Sequence, residues 1–116
     1  MTTQMPPVAT AYVRSINDHD AAAFNALFAE QAVVDDAGRE FRGAASIQQW
    51  GDSDIFAPLV TLEVLGIEGN ADDVVLTSKV DGNFDRTGLP DPVLIRHHIT
   101  VQAGKIVSLT CRLASA

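Results

Sequence analysis

The chain predicts an α+β fold in which helices come first and a curled antiparallel sheet follows. Two patterns carry the prediction. Before Pro58, apolar residues recur at helical spacing, interrupted by one short hairpin. From Pro58 on, four segments rich in Val, Ile, Leu and Thr follow one another, parted by turn signals at the spacing of an antiparallel meander. With 116 residues and 47% hydrophobic content, the chain can bury one real core. Residues 1–116 therefore read as a single domain, with 1–5 expected to be disordered.

Pro6 and Pro7 suit a first helical turn, and Val8, Tyr12, Val13 and Ile16 then form one apolar stripe. "NDHD" offers Asp18 or Asp20 as the N-cap of a second helix, with Phe24, Leu27 and Phe28 at i, i+3 and i+4. "AVVDDAGREFRG" reads as a hairpin: a strand ending near Asp36, a turn at Ala37 and Gly38, and a return through Phe41. A third helix, "RGAASIQQW", shows Ile47 and Trp50 on one face. The strands are "LVTLEVLGIE", "DVVLTSKVD", "PVLIRHHITVQ" and "KIVSLTCRLA". Their turns are Gly69 with Asn70, the long "DGNFDRTGLPDP" segment, and Ala103 with Gly104.

Composition excludes several functions. Asp and Glu outnumber Lys and Arg 15 to 8, giving a net charge of −7, and no basic stripe exists to neutralise phosphates, so nucleic acid is not an expected partner. Nor is a membrane: apolar runs such as "FAPLV" fall far short of the roughly 20 residues that span a bilayer. "MTTQMPP" lacks the basic start and apolar core of a signal peptide, which makes the cytoplasm the expected location. Cys111 is the single cysteine, so no internal disulfide forms, and it reads as a small buried side chain with Val107, Leu109 and Leu113 on its face. No cofactor is expected, because no G-x-G-x-x-G, phosphate loop or G-x-S-x-G elbow occurs. Adjacent His97 and His98 point to opposite sides of a strand and His19 has no partner at ligand spacing, so no metal is expected either.

Alternation then sorts polar residues by face. In "LIRHHITV", Ile95, His97, Ile99 and Val101 share one face, while Arg96 and His98 lie on the other, available to a partner subunit. His97 thus sits on the apolar face, either as a hydrogen-bonded core histidine or as a site residue. Tyr12 lies within the first helix's apolar stripe, where its hydroxyl needs a partner or a cavity. Asp35 and Asp36 also point to opposite faces, so one acid turns inward, where burial is costly unless the group is paired or used. Trp50 and Phe56 serve either as core or as the mouth of a pocket.

The stretch "AYVRSINDHDAAAFNALFAEQAVVDDAGREFRGAASI", with the meander and "GKIVSLTCRL" behind it, resembles the nuclear transport factor 2-like superfamily. Within it the chain is similar to ketosteroid isomerases and SnoaL-like polyketide cyclases. The resemblance implies a cone-shaped α+β fold, a curved antiparallel sheet packed against three N-terminal helices around an apolar pocket, and a homodimer through the outer sheet face. It matches Asp36 to the isomerase base and Tyr12 to the tyrosine that hydrogen-bonds the enolate oxygen. The position of the family's late-strand carboxylic acid falls at or near His97, a departure from the isomerase pattern.

Two functions follow as expectations. In one, the chain is an isomerase, or a dehydratase or cyclase, in which Asp36 moves a proton within an apolar, ring-like carbonyl substrate while Tyr12 and His97 stabilise the enolate. Ile16, Phe28, Val34, Trp50, Phe56, Ile95 and Ile99 would line its pocket. In the other, the cone binds a small ligand or completes a dimer without catalysis. The enzyme reading expects Asp36 among apolar side chains, which would raise its pKa, with neither Arg39 nor Arg42 close enough to pair with it.

Overall fold

The computed structural model describes residues 5–114. Helix α1 (Pro7–Asn17) starts with Pro7 in its first turn and buries Ala9, Tyr12, Ser15 and Ile16. Helix α2 (Ala21–Ala26) is capped by the Asp20 side chain, which accepts from the Ala23 N–H at 3.1 Å. It ends earlier than its apolar spacing suggests. Leu27 closes the helix and Phe28 opens strand β1 (Phe28–Asp36), so the Phe24 to Phe28 contact, 5.0 Å between ring centroids, spans a helix–strand junction. Strand β2 (Arg39–Arg42) and helix α3 (Ala44–Gly51) follow, and α3 continues into a π-helical turn, Asp52–Phe56, which the sequence reading did not anticipate. The expected disorder of residues 1–5 lies outside the described residues except at Met5, which is half-buried against the core.

Strands β3 (Thr61–Gly69), β4 (Asp73–Asp81), β5 (Leu94–Gln102) and β6 (Lys105–Leu113) complete a curved six-stranded sheet in the order β2-β1-β6-β5-β4-β3. The meander is antiparallel as expected, while β1 pairs with β6 in parallel. A bulge between Thr100 and Val101 shifts the β5–β6 register, so Ile106, rather than the expected Val107, takes the inward place with Leu109 and Cys111.

Register sets depth within the concave face. Val34, Leu109, Ile99 and Val74 are successive cross-strand partners and form one row, each 0–1% exposed. Two residues further along, Asp36, Cys111, His97 and Leu76 form the next. The first row is core, sealed by Tyr12, Ile16 and Phe24, each such side chain contributing about 1.5–3 kcal/mol by burial. In the second row Asp36, Cys111 and His97 border a cavity, while Leu76 is fully buried. Asn17, at the end of α1, locks the helix to the sheet: its amide accepts from the Leu62 N–H at 2.7 Å and donates to the Leu62 carbonyl at 3.0 Å.

Candidate active site

Helix α1 presents Tyr12 to the sheet, 1% exposed, with its hydroxyl 3.0 Å from His97 Nδ1. The other ring nitrogen, Nε2, lies 2.7 Å from the Ser78 hydroxyl on β4. Both nitrogens of this buried histidine are therefore engaged. Burial pushes its pKa down to about 4, so the ring is neutral at neutral pH. Burial raises the Tyr12 hydroxyl well above its ordinary value, and pushes the Cys111 thiol, beside His97 in the same row, up to about 12.

The β1–β2 hairpin supplies the acids. Ala37 and Gly38 both have positive φ, 53° and 90°, giving the two-residue turn whose twist matches that of the flanking strands. Asp35 braces this turn from the outside: its Oδ1 accepts from the Gly38 N–H and from Arg112 Nη1, each at 2.9 Å, and the Arg112 bond foremost holds its carboxyl below the usual range. Asp36, on the opposite face, is half-buried. Trp50 Nε1 donates to its Oδ2 at 3.0 Å, and Arg39 Nη2 donates to the same oxygen at 2.7 Å.

That ion pair corrects the expectation of an acid free of arginine, because the tight turn sets Arg39 directly across from Asp36. Arg39 also pairs with Asp54 of the π-helical turn. Its side chain is 56% exposed against 25% for Asp36, so the bridge sits at the rim of the site. Among the described residues, Asp36 Oδ1 has no hydrogen-bond partner.

Tyr12, Asp36 and His97 all line a cavity of about 440 Å³, within the range of roughly 300–1,000 Å³ usual for small-ligand sites. Of the seven expected lining residues, Ile16, Trp50 and Ile95 border it. Phe28, Val34, Phe56 and Ile99 do not. Val34 and Ile99 belong to the deeper row, while Phe28 and Phe56 pack on Phe24, with Phe56 edge-on at 5.4 Å. The sequence reading missed Leu62, Val60, Ile55 and Val93 in the wall, and Phe84, Asp85 and Leu89, by which the 81–92 loop closes one side. It also missed Ser78, whose signal was present: alternation in "DVVLTSKVD" sets a lone serine among Val74, Leu76 and Val80.

A curved sheet and N-terminal helices enclosing an apolar cavity with a few polar groups define a cone-type pocket protein. The SnoaL-like domain family matches residues 9–109, and the chain belongs to that family, with the nuclear transport factor 2-like fold. A candidate polyketide cyclase from Sinorhizobium meliloti superposes with a TM-score of 0.82 at 26% identity, covering 93% of this chain and 95% of its own. A protein of ketosteroid isomerase-like fold from Catenulispora acidiphila, in complex with trimethylamine, gives 0.76 at 21%, covering 94% and 86%. A Mycobacterium tuberculosis protein in complex with estradiol-17beta-hemisuccinate gives 0.73 at 18%, covering 90% and 88%. None of the curated proteins matches the sequence. Among the described residues no helix is long and apolar enough to cross a membrane.

Proposed function

We propose that the chain is a small-molecule enzyme of the acid–base type, acting on an apolar, ring-like carbonyl compound. Asp36 takes a proton from the carbon next to the carbonyl, and the C–H electron pair becomes the enolate. The developing oxyanion receives a hydrogen bond from the Tyr12 hydroxyl, and Asp36 returns the proton to the same or a conjugated carbon, so the net reaction is an isomerisation. One observation carries this reading: an acid with one unengaged carboxylate oxygen and a buried phenol border the same largely apolar cavity. His97 supports the reaction through Tyr12 rather than by touching substrate, since its ring nitrogens are taken and the ring is neutral. An Asp36 and His97 acid/base pair, as dehydration or cyclisation would need, is less well supported. Their backbones are two strands apart, roughly 10 Å at about 4.8 Å per strand, with Cys111 between them.

The second reading is ligand binding without catalysis, favoured by the hold of Arg39 and Trp50 on Asp36. The small organic molecules in the Catenulispora and Mycobacterium structures support a small-molecule ligand under either reading. The proposal includes a single domain acting in the cytoplasm, as a homodimer through the outer sheet face of Arg96 and His98.

Deuterium uptake separates the two. With 1-tetralone and related ring ketones in D₂O, the enzyme reading expects exchange at the carbon next to the carbonyl above the buffer rate. Asp36→Asn should lower it by about 10² to 10⁴, because an amide cannot accept the proton. Ketone binding without exchange would establish the binding reading instead.

A further inference from the structure

The two hydrogen bonds to His97 do more than satisfy a buried ring, because a neutral imidazole carries one proton and the partners must divide the roles. In one arrangement the proton is on Nε2. The ring then donates to Ser78 Oγ and accepts from the Tyr12 hydroxyl, which consumes the tyrosine proton and leaves the Ser78 proton without an acceptor. Ser78 is 0% exposed, and among the described residues its hydroxyl has no partner other than His97. In the other arrangement the proton is on Nδ1. Ser78 donates to Nε2, Nδ1–H donates to the Tyr12 oxygen, and the tyrosine keeps its own proton to give elsewhere.

The arrangements differ in where the spare proton ends up. The first strands it in the core beside Ser78, which does not line the cavity; the second puts it on Tyr12, which does. A buried donor left unmade costs the full desolvation of that group, whereas a donor at a cavity can meet a ligand oxygen or water. The tautomer of a histidine is set by the bond its other nitrogen makes, and here that bond comes from Ser78. Burial supports the scheme by keeping the ring neutral, since a cationic ring would donate from both nitrogens.

We infer that Ser78 is a positioning residue: by donating to His97 Nε2 it fixes the proton on Nδ1, and so turns the Tyr12 hydroxyl into a hydrogen-bond donor toward the cavity. The inference deepens the proposed function by giving the pocket its polarity. The site favours ligands that present an acceptor oxygen, a carbonyl or an oxyanion, at Tyr12 over ligands that offer only a donor there, because only the former takes the free phenol proton. Cys111 Sγ, 3.9 Å from Nδ1 and in hydrogen-bond contact with the Tyr12 hydroxyl, is the competing partner in this relay, but a thiol sulfur is a weak acceptor and yields the tyrosine proton to a ligand oxygen.

The test has two arms. Nitrogen-15 NMR of the His97 ring in the unliganded wild-type protein reads the tautomer directly and requires a protonated Nδ1 with a bare Nε2. In Ser78→Ala that bias should be lost, with part of the ring moving to Nε2–H, and Ser78→Thr, which keeps the hydroxyl, should restore it. In the second arm, 1-tetralone and its hydrocarbon counterpart tetralin are titrated into each protein. Ser78→Ala should weaken tetralone by about 2- to 10-fold, the worth of one hydrogen bond, and leave tetralin unchanged. A wild-type ring protonated on Nε2, or a tautomer unmoved by Ser78→Ala, overturns the inference, as does equal weakening of both ligands. If neither compound binds, the ketone-pocket reading fails, while the ring tautomer still decides the role of Ser78.

Discussion

Acid should destabilise this protein in a pH window that belongs to His97. The ring has a folded pKa of about 4 against an ordinary value of 6.5, so between those values the unfolded chain binds a proton that the native chain refuses. Stability therefore rises with pH across the window and is lost as pH falls from about 6.5 toward about 4. At about 1.36 kcal/mol per pH unit, the full loss from this group is about 3 kcal/mol, a large share of the roughly 5–15 kcal/mol typical of a domain. The carboxylates held below their ordinary value, Asp35, Asp81 and Asp85, do not blur the result, because their contribution is lost only below about pH 3.8. The groups facing the ring are Tyr12 and Cys111, raised well above neutrality, and Ser78, so none of them changes charge in the window. Urea unfolding from about pH 7 to about pH 4.5 measures the slope, and His97→Gln should flatten it. Ring-proton NMR of the wild type gives an independent reading, with His97 remaining neutral to about pH 5. A His97 that titrates near 6.5, or a variant with the wild-type pH slope, would refute the argument that burial governs this ring.

Three further outcomes follow. Tyr12→Phe should cut ketone exchange by about 10² to 10³ while tetralin affinity is kept; turnover unchanged with a large stability loss would make Tyr12 purely a core residue. Cys111, 7% exposed with its thiol pushed up to about 12, should resist iodoacetamide in the folded protein and react at the rate of unfolding, so rapid labelling at neutral pH would contradict its burial. Gly69→Ala should destabilise by roughly 1–3 kcal/mol in thermal or urea melts, because a Cβ at φ +101° would lie 2.2 Å from the Asp73 carbonyl oxygen; a neutral substitution would mean that the β3–β4 turn can yield.

Alternation and helical spacing are good at faces and poor at depth. They placed Tyr12 and Ile16 on the inner side of α1, His97 and Ile99 inside β5, and Asp35 and Asp36 on opposite sides of β1, because these patterns follow from backbone geometry alone. They could not separate Ile99 from His97 by depth, since residues two apart share a face; only the pairing of β1, β6 and β5 reveals that Val34, Leu109 and Ile99 are core while Asp36, Cys111 and His97 border the cavity. Phe28 was read into a helix because aromatic spacing at i+4 survives a change from helix to strand at that residue. Val107 was misplaced because a bulge resets the alternation without a local signal. The π-helical turn that brings Asp54 to Arg39 packs its Phe56 on Phe24 and has no sequence mark of its own.

The Arg39 bridge is the observation most at odds with an acid used as a base, and its geometry decides how far the objection reaches. Residues directly opposite in an antiparallel pair share a face, so a two-residue turn after Asp36 delivers Arg39 to the same side of the sheet whatever the site does. The strongest arginine–carboxylate grip is bidentate, with two parallel bonds, one to each oxygen. Here Arg39 spends one bond on Asp36 and another on Asp54, and the Trp50 N–H lands on the same Asp36 oxygen as the arginine. Two donors converging on Oδ2 fix the plane of the carboxylate, and Oδ1 is left without a protein partner beside an apolar cavity. An oriented carboxylate with one oxygen unengaged is what proton abstraction from carbon requires. The cation sits at the rim, 56% exposed, where solvent screens its pairing with the acid.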